Sequence, residues 1–376
     1  LNNENKNTET VGQLEETARK LEDVTTKLEN LAEKMEGIEN EAKKEESLFN
    51  KILAKKTFGI LGWGFFAFVI VSLIAQEIGV TLVRMLHSGG GQIPSIMTYI
   101  VSFFPLYLVA FPVLLLIIRK LPNDGRQKEG IGFFTLLKCF CMCITIMYIG
   151  NLIGTGLSGV IGGFFGKTST NNLAELITNA DMTGTIIFVV ILGPIMEEIV
   201  FRKILIDKTV KFGERNAMML SALMFGLFHM NLFQFFYAFG IGLIFAYVYI
   251  KSRKIGYSIA FHMIINFMGS VLAVFVSKNY TEDVINKLQS GNPELVSQAL
   301  TPGVIMSAVY SIAVIVIFFV GLVLLIIGRK NMQLDVNGAP FTRREEKGLV
   351  YGNFGMAFFI AACIAMMGLT TLAQLS

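Results

Sequence analysis

Charge is what this sequence lacks. Only 16% of its 376 residues are Asp, Glu, Lys or Arg, where a soluble domain carries about a quarter. The shortage is concentrated in long runs almost free of charge, which excludes an ordinary water-soluble globule and reads as a membrane protein. Cysteine is sparse too. Cys139, Cys141, Cys143 and Cys363 lie inside apolar runs, and none has the paired spacing of a zinc ribbon. Three of them form a Cys-x-Cys-x-Cys that spreads over the faces of one helix, so they are expected to pack, and no oxidising compartment is implied. No duplicated motif relates the two halves, which weighs against a secondary transporter. The first 50 residues are polar, so no secretory signal peptide is expected at the start. The first residue is Leu rather than Met, so a processed, trimmed or unusual start is expected.

What is there is apolar and helical. Hydrophobic residues make up 53% of the chain, with 32 Phe and 36 Gly, and the mean hydropathy is +0.60. Nine segments approach the roughly 20 apolar residues that a membrane span needs. They run near 58–83, 96–118, 133–160, 184–206, 216–231, 232–250, 255–277, 303–328 and 352–374, the fifth being short. The expected fold is therefore all-α and polytopic, with about nine transmembrane helices. Its expected divisions are 1–50, 57–165 (spans one to three), a core over 184–278, and 303–376.

Loop charge supports the count. Basic residues gather at Lys55 and Lys56, at Arg119, Lys120, Arg126 and Lys128, and at Lys203, Lys208, Lys211 and Arg215. They gather again at Lys251, Arg253 and Lys254, and at Arg329, Lys330, Arg343, Arg344 and Lys347. The alternate loops offer Lys167, Lys278 and Lys287, offset by acidic residues. This alternation follows the positive-inside rule and places the N-terminus in the cytoplasm and the C-terminus outside. The basic loops are expected to touch anionic lipid rather than nucleic acid.

Residues 1–50 differ from the rest. They hold 13 acidic and 7 basic side chains, a balance of −6, so the remainder carries +10 against the overall +4. Leu14, Leu21, Leu28, Met35 and Ala42 recur every seven residues, with Thr17, Val24, Leu31 and Ile38 three places after the first four. Such a 3–4 seam fits a coiled coil that self-associates or binds a partner, the bland alternative being a solvated amphipathic helix.

The chemistry is expected in the centre. Ionisable groups inside a span cost roughly 2.5–3.5 kcal/mol each on insertion scales, so each calls for a reason. The fourth span carries Gly193-Pro194-Ile195-Met196-Glu197-Glu198-Ile199-Val200-Phe201-Arg202. Glu198 and Arg202, four apart, share a helix face and can pair; Glu197 is turned about 100° away. Pro194 removes a backbone hydrogen bond just upstream and is expected to open the helix there. His229 ends Phe225-Gly226-Leu227-Phe228-His229, and His262 opens His262-Met263-Ile264-Ile265-Asn266, where His and Asn share a face. Taken singly, each is as well explained by helix packing.

Glu-Glu-x-x-x-Arg, Phe-x-x-x-His and His-x-x-x-Asn, in that order on separate spans, resemble the CPBP family. This family comprises CAAX prenyl proteases of the Ras-converting type and bacteriocin-processing (Abi) membrane proteases. The resemblance covers about 184–278. It implies that Glu197 is the catalytic glutamate, that His229 helps it activate water, that His262 and Asn266 stabilise the oxyanion, and that Glu198 and Arg202 support the site. The residues agree with this: an intramembrane carboxylate can act as a general base, and Asn and His can donate to an oxyanion. The implied activity is intramembrane endopeptidase, with a peptide or lipidated protein as substrate, in a membrane expected to be prokaryotic. Metal is a separate question. The family is often called metalloprotease, and Glu and His can ligate zinc, but there is no His-Glu-x-x-His, and using Glu197, His229 and His262 as ligands leaves no base. A metal-free mechanism is expected, zinc being the lesser reading. The rival functions are a non-catalytic scaffold or bacteriocin-immunity protein, and a proton-coupled transporter.

Overall fold

A computed structural model describes residues 2–88, 94–123, 130–168, 181–328, 334 and 341–375. Arg126, Lys128, Arg329 and Lys330, counted above among the loop cations, lie outside the described residues, as does the side chain of Arg343. The chain divides into two units, one reaching to Leu53 and the other spanning Ala54–Ser376. In the first, the backbone is helical, and the apolar seam from Leu14 to Ile38 stands exposed.

The described chain is all-α. Helix α1 covers Asn2–Leu86, followed by α2 (Ile96–Ile118), α3 (Phe133–Phe164) and α4 (Met182–Phe212). Then come α5 (Glu214–Phe228), α6 (Leu232–Ser252) and α7 (Ile255–Asn279). Two short helices, α8 (Glu282–Gln289) and α9 (Pro293–Ala299), precede α10 (Pro302–Ile327). A capped helix, α11 (Arg343–Tyr351), leads into α12 (Phe354–Ala373).

Eight of these helices are long and apolar enough to cross a membrane, and the protein is a polytopic membrane protein. The difference from the nine expected spans is α5. Its 15 residues rise about 22 Å, short of a hydrocarbon core of about 30 Å. Breaks on both sides shorten it: Gly213 at φ 121° before it and Met230 at φ 48° after it. A positive φ suits glycine, and an unbranched side chain such as Met tolerates it at some cost. Helix α5 nevertheless runs as a hairpin with α6, because Glu214 at its start pairs with Lys251 at the end of α6, 2.9 Å apart.

The core is built around α6, which packs on α3 and α5, while α10 packs on α3. Small residues allow the close approach, as in other membrane helix pairs. A Cβ at Gly150 would overlap the backbone of Tyr237, and one at Gly321 would overlap Cys141 and Thr145. The four cysteines are free and buried, as packing side chains. Outward-facing positions are apolar: Ile305, Met306, Val309, Ile312 and Val316 of α10 are all exposed, a surface that suits lipid. At the basic end, Asp207 accepts from Tyr249 Oη (2.7 Å) and meets Arg253 and Lys203, and Lys208 donates to the Leu121 carbonyl and Asn123. These bonds tie the ends of α2, α4 and α6 together.

Candidate active site

The site begins with a defect in α4. From Thr185 to Leu192 the helix widens to i→i+5 turns, and a second wide stretch runs over Ile199–Ile204; such turns are rare and often mark functional positions. Between them, Gly193–Glu198 carries the two glutamates. In the wide register the Gly193 N–H bonds to the Phe188 carbonyl. The next carbonyl, Val189, would need an N–H from Pro194, which has none. Asn266 of α7 fills the gap, its Nδ2 donating to Val189 O at 2.9 Å.

Glu198 is fully buried and doubly held. Its Oε2 lies 3.1 Å from Arg202 Nε, and its Oε1 lies 3.1 Å from His262 Nδ1. Arg202, also fully buried, donates to Ser221 Oγ (3.2 Å), which in turn donates to the Phe201 carbonyl. The guanidinium lies 4.5 Å from the centre of the Phe225 ring and 5.5 Å from that of Phe245. Stacked arginine is well suited to a dry ion pair.

Glu197 points elsewhere, as the 100° turn requires. Its side chain is 21% exposed, and its Oε2 lies 3.6 Å from His262 Nε2. His262 thus stands between the two carboxylates, a contact that the spacing of the motifs does not reveal. An ionised Glu198 can only accept, so Nδ1 of His262 carries a proton. The other nitrogen, Nε2, faces Glu197.

His229 closes α5. Its Nδ1 lies 2.8 Å from the Phe225 carbonyl, which can only accept, so Nδ1 is protonated and Nε2 is the basic nitrogen. The Phe225 ring stands edge-on to both His229 (4.9 Å) and His262 (5.6 Å). Thr370 of α12 fixes the turn that follows, donating to the Met230 carbonyl at 2.6 Å.

Glu197, His229, His262 and Asn266 all line one cavity of about 1480 Å³, bounded mainly by apolar and aromatic side chains of α2, α3, α4, α6, α7 and α10. Sequence spacing did not point to Phe245, Ser221 or the Val189 carbonyl, because each acts across helices. Phe225 was visible only as a motif letter.

Residues 179–268 match the family described as "Type II CAAX prenyl endopeptidase Rce1-like". That stretch contains every residue of the constellation. This match and the names of the relatives below support the CPBP resemblance carried by the three motifs. Two relatives extend the likeness beyond that stretch. The chain is 29% identical over 216 residues to the "Putative membrane peptidase YdiL" of Bacillus subtilis (strain 168), covering 55% of this chain and 81% of that protein. It is 26% identical over 219 residues to the "Membrane-embedded CAAX protease MroQ" of Staphylococcus aureus (strain USA300), covering 54% of this chain and 86% of that protein. No solved structure matches. Among the described residues no three His, Cys, Asp or Glu side chains form a group able to hold a metal ion, and Glu198 is already engaged by Arg202 and His262.

Proposed function

We propose that this protein is an intramembrane endopeptidase in which Glu197 is the general base. The observation that carries this reading is the split between the glutamates. Glu198 is fully buried against Arg202 and His262, whereas Glu197 faces the cavity beside His262. In the proposed reaction Glu197 takes a proton from water, which His229 orients through Nε2, and the oxygen adds to the peptide carbonyl. The second amide hydrogen of Asn266 and a protonated His262 Nε2 donate to the oxyanion. The proton on Glu197 then passes to the departing amine, so that the step balances without a metal.

The cavity argues for the substrate class. Its volume exceeds that of a few extended residues, and among the described residues its wall carries no ionisable carboxylate, ammonium or imidazole besides Glu197, His229 and His262. Substrates are therefore membrane-associated or lipidated polypeptides whose scissile region is uncharged.

Mass spectrometry of cleavage products in membranes, with wild type beside Glu197→Gln, tests the activity. Loss of the base should lower cleavage about 10²–10⁴-fold, and products that persist unchanged would refute the assignment. Activity is expected to survive prolonged chelation. Activity lost with a chelator and restored by stoichiometric zinc would overturn the metal-free roles.

A further inference from the structure

The exposed seam of the first unit is unrelated to the cavity chemistry. Leu14, Leu21, Leu28 and Met35 occupy one heptad position, and Val24, Leu31 and Ile38 the other; all are apolar, and all remain between 52% and 69% exposed. On a solvated helix this stripe leaves a continuous apolar surface in water. The helix is otherwise built to stand in water. Acid-to-lysine pairs at four-residue spacing, Glu16–Lys20, Asp23–Lys27 and Glu39–Lys43, brace its polar face.

We propose that this seam is covered by the same seam of further copies of the chain, in a parallel coiled coil of three or four strands. Two features select that occupant. Parallel pairing brings the residue before each Leu14-type position against the residue five places later on the neighbouring strand. Lys34 then meets Glu39, Lys20 meets Thr25 and Lys27 meets Ala32, so the register is attractive once and neutral twice. The like pair Glu41–Glu46 falls at the end, where Ala42 and Glu45 close the seam. The side-chain shapes then set the number of strands. Leu or Met, neither branched at Cβ, fills the first position, while β-branched Val24 and Ile38 share the second with Leu31, nearer the reverse of the pattern that favours two strands than that pattern itself. Parallel direction follows from connectivity, because the seam precedes the first apolar span in the chain. Copies in one bilayer begin their seams from the same side.

Native mass spectrometry of the full chain in detergent tests this. Wild type is expected to contain three or four copies, and Leu21→Lys/Leu28→Lys a single copy. Glu33→Lys, on the outer face, should leave the assembly intact. A cross-link in membranes gives an independent reading that does not rely on the lysine variants folding. Leu28→Cys should form an inter-chain disulfide under mild oxidation and Glu33→Cys should not, since the native cysteines are buried. A monomeric wild type, or an assembly indifferent to Leu21→Lys/Leu28→Lys, would overturn the proposal, and a dimer would overturn the strand number.

Discussion

Two neighbouring carboxylates with the same chemistry occupy opposite environments. Glu198 completes a dry network with Arg202, His262 and Ser221. Truncating it leaves a fully buried guanidinium without its counter-ion, which costs about 3–5 kcal/mol where a buried pair is broken. Glu198→Ala should therefore lower membrane yield and thermal stability together with activity. Glu197, partly exposed to the cavity, has no such structural duty, so Glu197→Ala should keep near-wild-type yield and lose cleavage. Quantitative blotting beside product analysis decides it, and equal loss of yield in both variants would refute the division. His262 is the residue through which the two roles communicate, since its nitrogens face one glutamate each.

Within α4, the wide turns and Pro194 leave the Val189 carbonyl without an N–H of its own helix, and Asn266 supplies one. Asn266→Ala strands that carbonyl, at about 1–3 kcal/mol. Pro194→Ala restores a backbone N–H beside it, so the asparagine should then matter less. A double-mutant cycle on thermal unfolding in detergent should show Asn266→Ala costing less on the Pro194→Ala background. Simple additivity would mean that the two features are unrelated. The same cycle separates the structural duty of Asn266 from its proposed oxyanion duty, because cleavage should fall with Asn266→Ala on either background.

For the whole molecule, the cavity sets what the site can receive. Gly269 lines it one turn beyond Asn266, and a Cβ there would meet nothing within 4 Å. Gly269→Leu should therefore leave stability unchanged or slightly raised, since leucine is the better helix former, while reducing cleavage of bulky substrates. Thermal melts and product yields measured on one preparation check this; a stable variant with unaltered cleavage would show that the substrate does not use this part of the cavity.

Hydropathy and heptad spacing alone determined the membrane class, the all-α fold and the exposed seam, because each is a periodic property that survives without knowledge of neighbours. Four-residue spacing likewise determined that Glu198 and Arg202 could share a face, with Glu197 turned away, and the three motifs pointed to the family. Other features had no local signature. The shortness of α5 depends on the backbone breaks at Gly213 and Met230, which hydropathy does not register. His262 lies between two glutamates more than 60 residues away, and Asn266 answers a carbonyl freed by a proline on another helix. Those contacts were decided by the tertiary structure, because a buried polar atom takes its partner from whichever helix packing brings within reach.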